Sequence, residues 1–135
     1  MSMTPEHLLQ LLDDSHAVIA VVGASDDPEK FGHRIYRDLK AKGYKVYPVN
    51  PNRATVDGDR SYPEIVDMPE RPHLVNLAIP PEQAMAVLHE CLALGLTRIW
   101  LQPGAESPEV LAFLDAHGFA YLANTCIMVE SRRKD

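Results

Sequence analysis

Residues 17–22 read Ala-Val-Ile-Ala-Val-Val, an unbroken apolar run rich in β-branched side chains. A strand without polar alternation has no face to give to water. It must be covered on both sides, as the strands of a parallel sheet are. Similar short runs recur at 46–49, at 74–79 (LVNLAI), at 98–101 (RIWL) and at 119–122. Helical patterns lie between most of them. Ile35 and Leu39 stand four apart, with Gly43 at a helix stop. Pro81 opens a segment in which Ala84, Leu88, Cys91 and Leu92 share one face before Gly95. Pro108 opens another, with Val110, Leu111 and Leu114 inward and Gly118 as its stop. Leu8, Leu9, Leu11 and Leu12 predict a short amphipathic helix at the start.

The expected order is α-β-α-β-β-α-β-α-β, with a polar, turn-rich connection over 53–72 that has room for one helical turn around Ile65. The pattern leaves 126–130 open between a short helix and an added strand. Alternation of this kind predicts an α/β, Rossmann-like doubly wound parallel sheet of five strands with helices on both faces. Counted along the chain, the doubly wound rule favours strand order 3-2-1-4-5. The ligand site is then expected outside the carboxyl ends of the strands, at the switch between strands one and four.

The chain has 135 residues, 46% of them hydrophobic, which suits a single domain over 1–135 whose core needs no disulfide or structural metal. Thirteen basic against nineteen acidic side chains leave a formal net charge of −6. That balance argues against nucleic-acid binding, which needs concentrated Lys and Arg. The Arg132-Arg133-Lys134 run reads as a solvated tail. Cys91 and Cys126 form no CxxC. No basic segment followed by an apolar stretch opens the chain, and no run approaches a membrane span. The expectation is a cytoplasmic protein without a membrane partner.

The loops at the expected carboxyl edge carry the candidate chemistry. The first, residues 23–32, is not GxGxxG. It keeps Gly23 for a tight exit from the strand and Gly32 at the helix start, where backbone could approach a phosphate. Ser25 offers a hydroxyl and Lys30 a charge, while Asp26, Asp27 and Glu29 should point away from an anion. In the second loop, Asn50 stands where dinucleotide-binding domains place the acidic residue that bonds the ribose diol, and Arg53 follows Pro51 closely. This pairing favours a phosphorylated ribose, 2′ in NADP or 3′ in coenzyme A. Ile79, Pro80 and Pro81 offer a rigid apolar wall for an adenine or a pantetheine arm, or simple helix-start chemistry. Gln102 is aimed at the cleft from strand four, or caps a helix. The six histidines are dispersed without metal spacing, and no GxSxG elbow is present. Cys91 reads as core. Cys126, at the ligand edge, is the better candidate for a functional thiol, although inert burial is the commoner fate.

The segment VVGASDDPEKFGHRIYRDLKAKGYKVYPVNPN resembles the start of the CoA-binding domain family. This small Rossmann-like domain also opens the succinyl-CoA synthetase alpha subunit and the ADP-forming acyl-CoA synthetases. The similarity continues through LVNLAIPPEQA, IWLQPGAES and NTCIMVE. It implies recognition of coenzyme A at the C-terminal edge of the sheet. Gly23, Ala24, Ser25 and Lys30 would fall on the phosphate loop. Asn50, Pro51 and Arg53 would fall near the adenosine end, where the synthetases commonly carry Lys in place of Arg53. Ile79, Pro80 and Pro81 would line the nucleotide, and Cys126 would match a cysteine after the last strand. The synthetases add a phosphohistidine domain and an ATP-grasp partner, neither of which the 135 residues contain. The resemblance therefore implies binding of coenzyme A or an acyl-CoA without catalysis of its own. The alternatives are an NADP-binding oxidoreductase-type domain and a CoA-binding subunit that lends its site to an ATP-grasp partner protein. A homodimer fits the sequence equally well.

Overall fold

A computed structural model describes residues 5–132. Residues 1–4, with the expected absence of a leader, and Arg133 and Lys134 of the basic tail lie outside the described residues.

Helix α1 (Pro5–Leu11) leads into β1 (Val18–Val22), α2 (Phe31–Ala41) and β2 (Lys45–Val49). A hairpin of β3 (Thr55–Val56) and β4 (Asp59–Arg60) follows, then a 3-10 turn at Ile65–Asp67. Next come β5 (Leu74–Leu77), α3 (Pro81–Leu94), β6 (Arg98–Leu101), α4 (Pro108–Ala116), β7 (Ala120–Leu122) and α5 (Ile127–Glu130). The predicted helical turn at Ile65 is present, and the open 126–130 segment resolves to a helix. The DG hairpin is an element the sequence reading did not place.

Strands β2-β1-β5-β6-β7 form one parallel sheet. The α/β doubly wound class is as expected, but the strand order is not. Counted along the chain it is 2-1-3-4-5, so the third strand sits beside the first, and the switch lies between strands one and three. Pro48 is the physical reason. Its missing N–H makes β2 a poor interior strand, so β2 belongs at an edge. Val49 O accepts from Gly23 on the β1 side, while Pro48 O accepts from Tyr62 N on the outer side. β5 is buried along its whole length and takes the interior place instead.

The sheet separates two cores. Val18, Ala20, Val22, Leu77, Ile99 and Leu101 face the 3-10 turn, α3 and α4. Ile19, Val21, Leu74 and Trp100 face α1, α2 and α5. Leu8 and Leu12 bring α1 into this second core, whereas Leu9 stays at the surface.

Candidate functional site

The carboxyl ends of β1, β2 and β5 open into a groove of about 880 Å³. That size falls within the ~300–1,000 Å³ common for small-molecule sites. One end is polar, walled by Gly23, Ser25, Lys30, Asn50 and Asn52. From there the groove passes Ile79 and Pro80 and runs down the flank of α3 between Val87 and Leu94 on one side and Ile65 and Val66 on the other. The α3 stretch from Gln83 to Leu94 spans about 16 Å at the helical rise.

Two glycines set the polar end. Gly23 has φ +95°, and a Cβ there would stand 2.4 Å from Ala78 O. A Cβ on Gly32 would stand 1.8 Å from Gly23 O. The sequence suggested that Gly32 lets a ligand phosphate approach; the structure shows that it lets α2 approach β1. Ser25 Oγ accepts from Asp27 N at 3.0 Å, which leaves the hydroxyl hydrogen free to donate. Lys30 precedes α2, whose first turn carries no acidic residue. Among the described residues it enters no ion pair. Asp26, Asp27 and Glu29 stay out of the groove wall, as expected.

Asn50 is committed to the scaffold. Its Nδ2 donates to Ala24 O at 2.9 Å and its Oδ1 accepts from Asn52 N at 2.9 Å, stitching the first two loops together. Ala24 is fully buried, so only its backbone takes part. Pro51 lines the groove, while Pro81 is the first residue of α3 and does not. Arg53 also lies outside the wall, half-buried, with Nη1 3.9 Å from Asp26 Oδ2.

Gln102 does not face the groove. It is 2% exposed, and its Oε1 accepts from Ile127 N at 2.9 Å and from Asn76 Nδ2 at 3.1 Å. The helix-capping alternative is the one realised. Its Nε2 donates to Cys126 Sγ at 3.2 Å, which places this thiol at the start of α5 rather than in the groove wall. Cys91 is core, and burial pushes its thiol up to about 12. His33 is structural: Nδ1 lies 3.2 Å from Ser25 O and Nε2 3.4 Å from Arg37 Nη1. No cluster of metal-ligating side chains occurs among the described residues.

The sequence reading missed the lower groove. Ile65, Val66, Val87, Glu90 and Leu94 all line it, and Phe31, next to Lys30, also lines the groove. The available signal was a second apolar stripe on α3, at Ala86, Val87, Ala93 and Leu94, beside the core stripe of Ala84, Leu88 and Cys91. Phe31 and Val66 are each 58% exposed, and both line the groove. Glu90 is half-buried here. Desolvation pushes its carboxyl above the usual range, Glu64 and Asp67 add to this, and the amides of Val66 and Ile65 oppose it.

The sequence model of the CoA binding domain matches residues 17–132, nearly the whole described chain. The chain belongs to that family. It is 38% identical over 74 residues to the acetate–CoA ligase (ADP-forming) II subunit alpha of Pyrococcus furiosus. This match covers 54% of this chain but only 16% of that subunit, so the chain spans a small part of its ligase relatives. The uncharacterized protein YneT of Bacillus subtilis is 29% identical over 111 residues, 82% of each chain. Among solved structures, a conserved hypothetical protein from Pyrococcus furiosus superposes with TM-score 0.81 at 39% identity, covering 85% of this chain and 99% of that one. A dinucleotide forming acetyl-coenzyme A synthetase 1 from Ca. Korarchaeum cryptofilum matches with TM-score 0.65 at 29% identity, covering 80% of this chain and 25% of that one. No helix of the described CoA-binding domain is long and apolar enough to cross a membrane.

Proposed function

We propose that this domain binds coenzyme A or an acyl-CoA in the groove at the β1–β5 switch. The observation that carries the reading is the groove's polarity. Lys30, Ser25, Asn50 and Asn52 stand at one end, and an apolar stretch lined by Ile65, Val66, Val87 and Leu94 makes up the rest. The pyrophosphate sits at Gly23 and Ser25, under Lys30 and the start of α2 at Phe31, where backbone and dipole favour anions. Adenine lies in the slot between Val66 and Val87. The 3′-phosphate reaches Arg53 at the rim beyond Asn50 and Pro51, drawing the guanidinium from its long contact with Asp26. The pantetheine arm crosses Ile79 and Pro80 toward Cys126, which Gln102 holds in place.

A thermal-shift series with coenzyme A, acetyl-CoA, NADPH and NAD tests this, since specific binding raises the melting temperature by mass action. Stabilisation by coenzyme A or acetyl-CoA and not by the nicotinamide nucleotides is expected. A shift with NADPH and none with coenzyme A overturns the reading in favour of the NADP alternative. Loss of the 3′-phosphate, as in dephospho-CoA, should cost about 1–3 kcal/mol of affinity, the range for a charged hydrogen bond. The Arg53→Ala variant should bind the two ligands alike. Undiminished discrimination in that variant removes Arg53 from the site.

A second reading follows from the ligase relative that is named as a subunit. The domain then lends its coenzyme A site to a partner protein of the ATP-grasp type. Co-purification of such a protein with the chain supports it, and a stable homodimer without one counts against it.

A further inference from the structure

Two carboxylates line the groove beside the apolar slot, Glu64, whose side chain caps the 3-10 turn, and Glu90 on α3, and the chemistry of Glu90 is selective. Resting on the reading above, we infer that Glu90 reads the base: its carboxylate accepts a hydrogen bond from the exocyclic amine at C6 of adenine, so the groove takes a 6-amino purine in preference to a 6-oxo purine.

Glu90 lies on the groove face of α3, one turn beyond Val87 and one turn before Leu94, across from Ile65 and Val66. These neighbours give the groove apolar walls on both sides of Glu90. The carboxylate is half-buried between them, and Oε2 stands 3.4 Å from Val66 N. An ionised carboxylate has about four lone-pair positions and no donor. The backbone of the 3-10 turn uses only part of that capacity. What remains in the slot is acceptor alone, which matches an amine and repels a carbonyl oxygen. Lys30, the cation of the groove, belongs to the phosphate end. Tethering the 3-10 turn to α3 accounts for the contact with Val66 but not for the choice of a charged acceptor. A glutamine amide oxygen would serve the tether equally well and would turn an N–H2 donor toward the base.

The distinguishing experiment is isothermal titration of the full chain with coenzyme A and with its deaminated, hypoxanthine-bearing analogue, in wild type and in Glu90→Gln. Wild type should prefer coenzyme A tenfold or more. In Glu90→Gln that preference should fall at least tenfold, to parity or inversion, because the new donor suits the 6-oxo group. A wild-type preference below tenfold overturns the inference. So does a smaller change of the ratio in a folded variant that still binds coenzyme A. In both cases coenzyme A binding itself stands. Failure of wild type to bind either ligand overturns the coenzyme A reading and this inference with it. Should Glu90→Gln not fold, the wild-type ratio alone decides by the same tenfold criterion.

Discussion

Single atoms decide how the polar end of the groove is built. Gly32 is the sharpest case, because the obstacle to a side chain there is backbone that cannot move aside. Gly32→Ala should lower unfolding free energy by about 3 kcal/mol, at the upper end for overpacking, and denaturant melts will read it. Gln102 carries a different burden. Replacing it with Leu strands the Ile127 N–H and the Asn76 amide, whose Oδ1 already has no hydrogen-bond partner. Gln102→Leu should cost about 2–3 kcal/mol, with α5 amides exchanging faster than those of the sheet. Trp100 Nε1 donates to Thr125 O at 3.0 Å beside this network, so its fluorescence should report the loosening.

At the scale of elements, the β3–β4 hairpin shows how a local motif is fixed to the body. Asp57 and Gly58 both have positive φ, 50° and 79°, as a two-residue hairpin turn that follows the strand twist requires. Lys40 and Tyr36 of α2 hold it, with Nζ 2.7 Å and the phenol oxygen 2.6 Å from Asp59 Oδ2. These two hydrogen bonds keep the Asp59 carboxyl below its ordinary range. Burial, reinforced by the bond to Asp59, keeps the Tyr36 phenol protonated. Asp59 and Asp57 hold Lys40 above its ordinary value. A lowered Asp59 contributes stability that is present above the unfolded carboxylate range and is lost as pH falls through the folded value. A raised Lys40 contributes below its unfolded value and is lost as pH rises beyond it. Docking should therefore be intact from about pH 4 to about pH 10 and loosen outside that window. Hydrogen exchange at Val56 and Arg60 measures this. Asp59→Asn should weaken docking by at most about 1 kcal/mol, because the pair is exposed.

Across the whole molecule, two cores share one sheet, so neither should melt alone. Leu114→Ala on the α4 side and Leu39→Ala on the α2 side remove fully buried side chains. Each should cost about 2–5 kcal/mol. In both variants Trp100 fluorescence and far-UV circular dichroism should trace one coincident transition, as two-state unfolding requires. Separate midpoints would mean that the layers are independent. Parallel pairing joins residues far apart in sequence, such as Val18 with Lys45 and Ile19 with Leu74, and this is what makes the sheet cooperative.

Local chemistry was enough to fix most elements and the loops at the carboxyl edge of the sheet. The β-branched runs at 17–22 and 74–79, the helix starts at Pro81 and Pro108, and the Gly23 turn each act within a few residues, and each is where the sequence placed it. Asp57-Gly58 and Pro48 are local signals too, one marking a hairpin and the other an edge strand. Contacts across the chain decided the rest. Whether Gly32 meets a phosphate or the backbone of Gly23, and whether Gln102 faces the groove or caps α5, depends on which element lies opposite. The lower groove exists only because the 3-10 turn at Ile65 stands across from α3, where Val66 meets Glu90, 24 residues away in sequence. Side-chain patterns declare which face of an element avoids water. Only packed neighbours determine what that face meets instead.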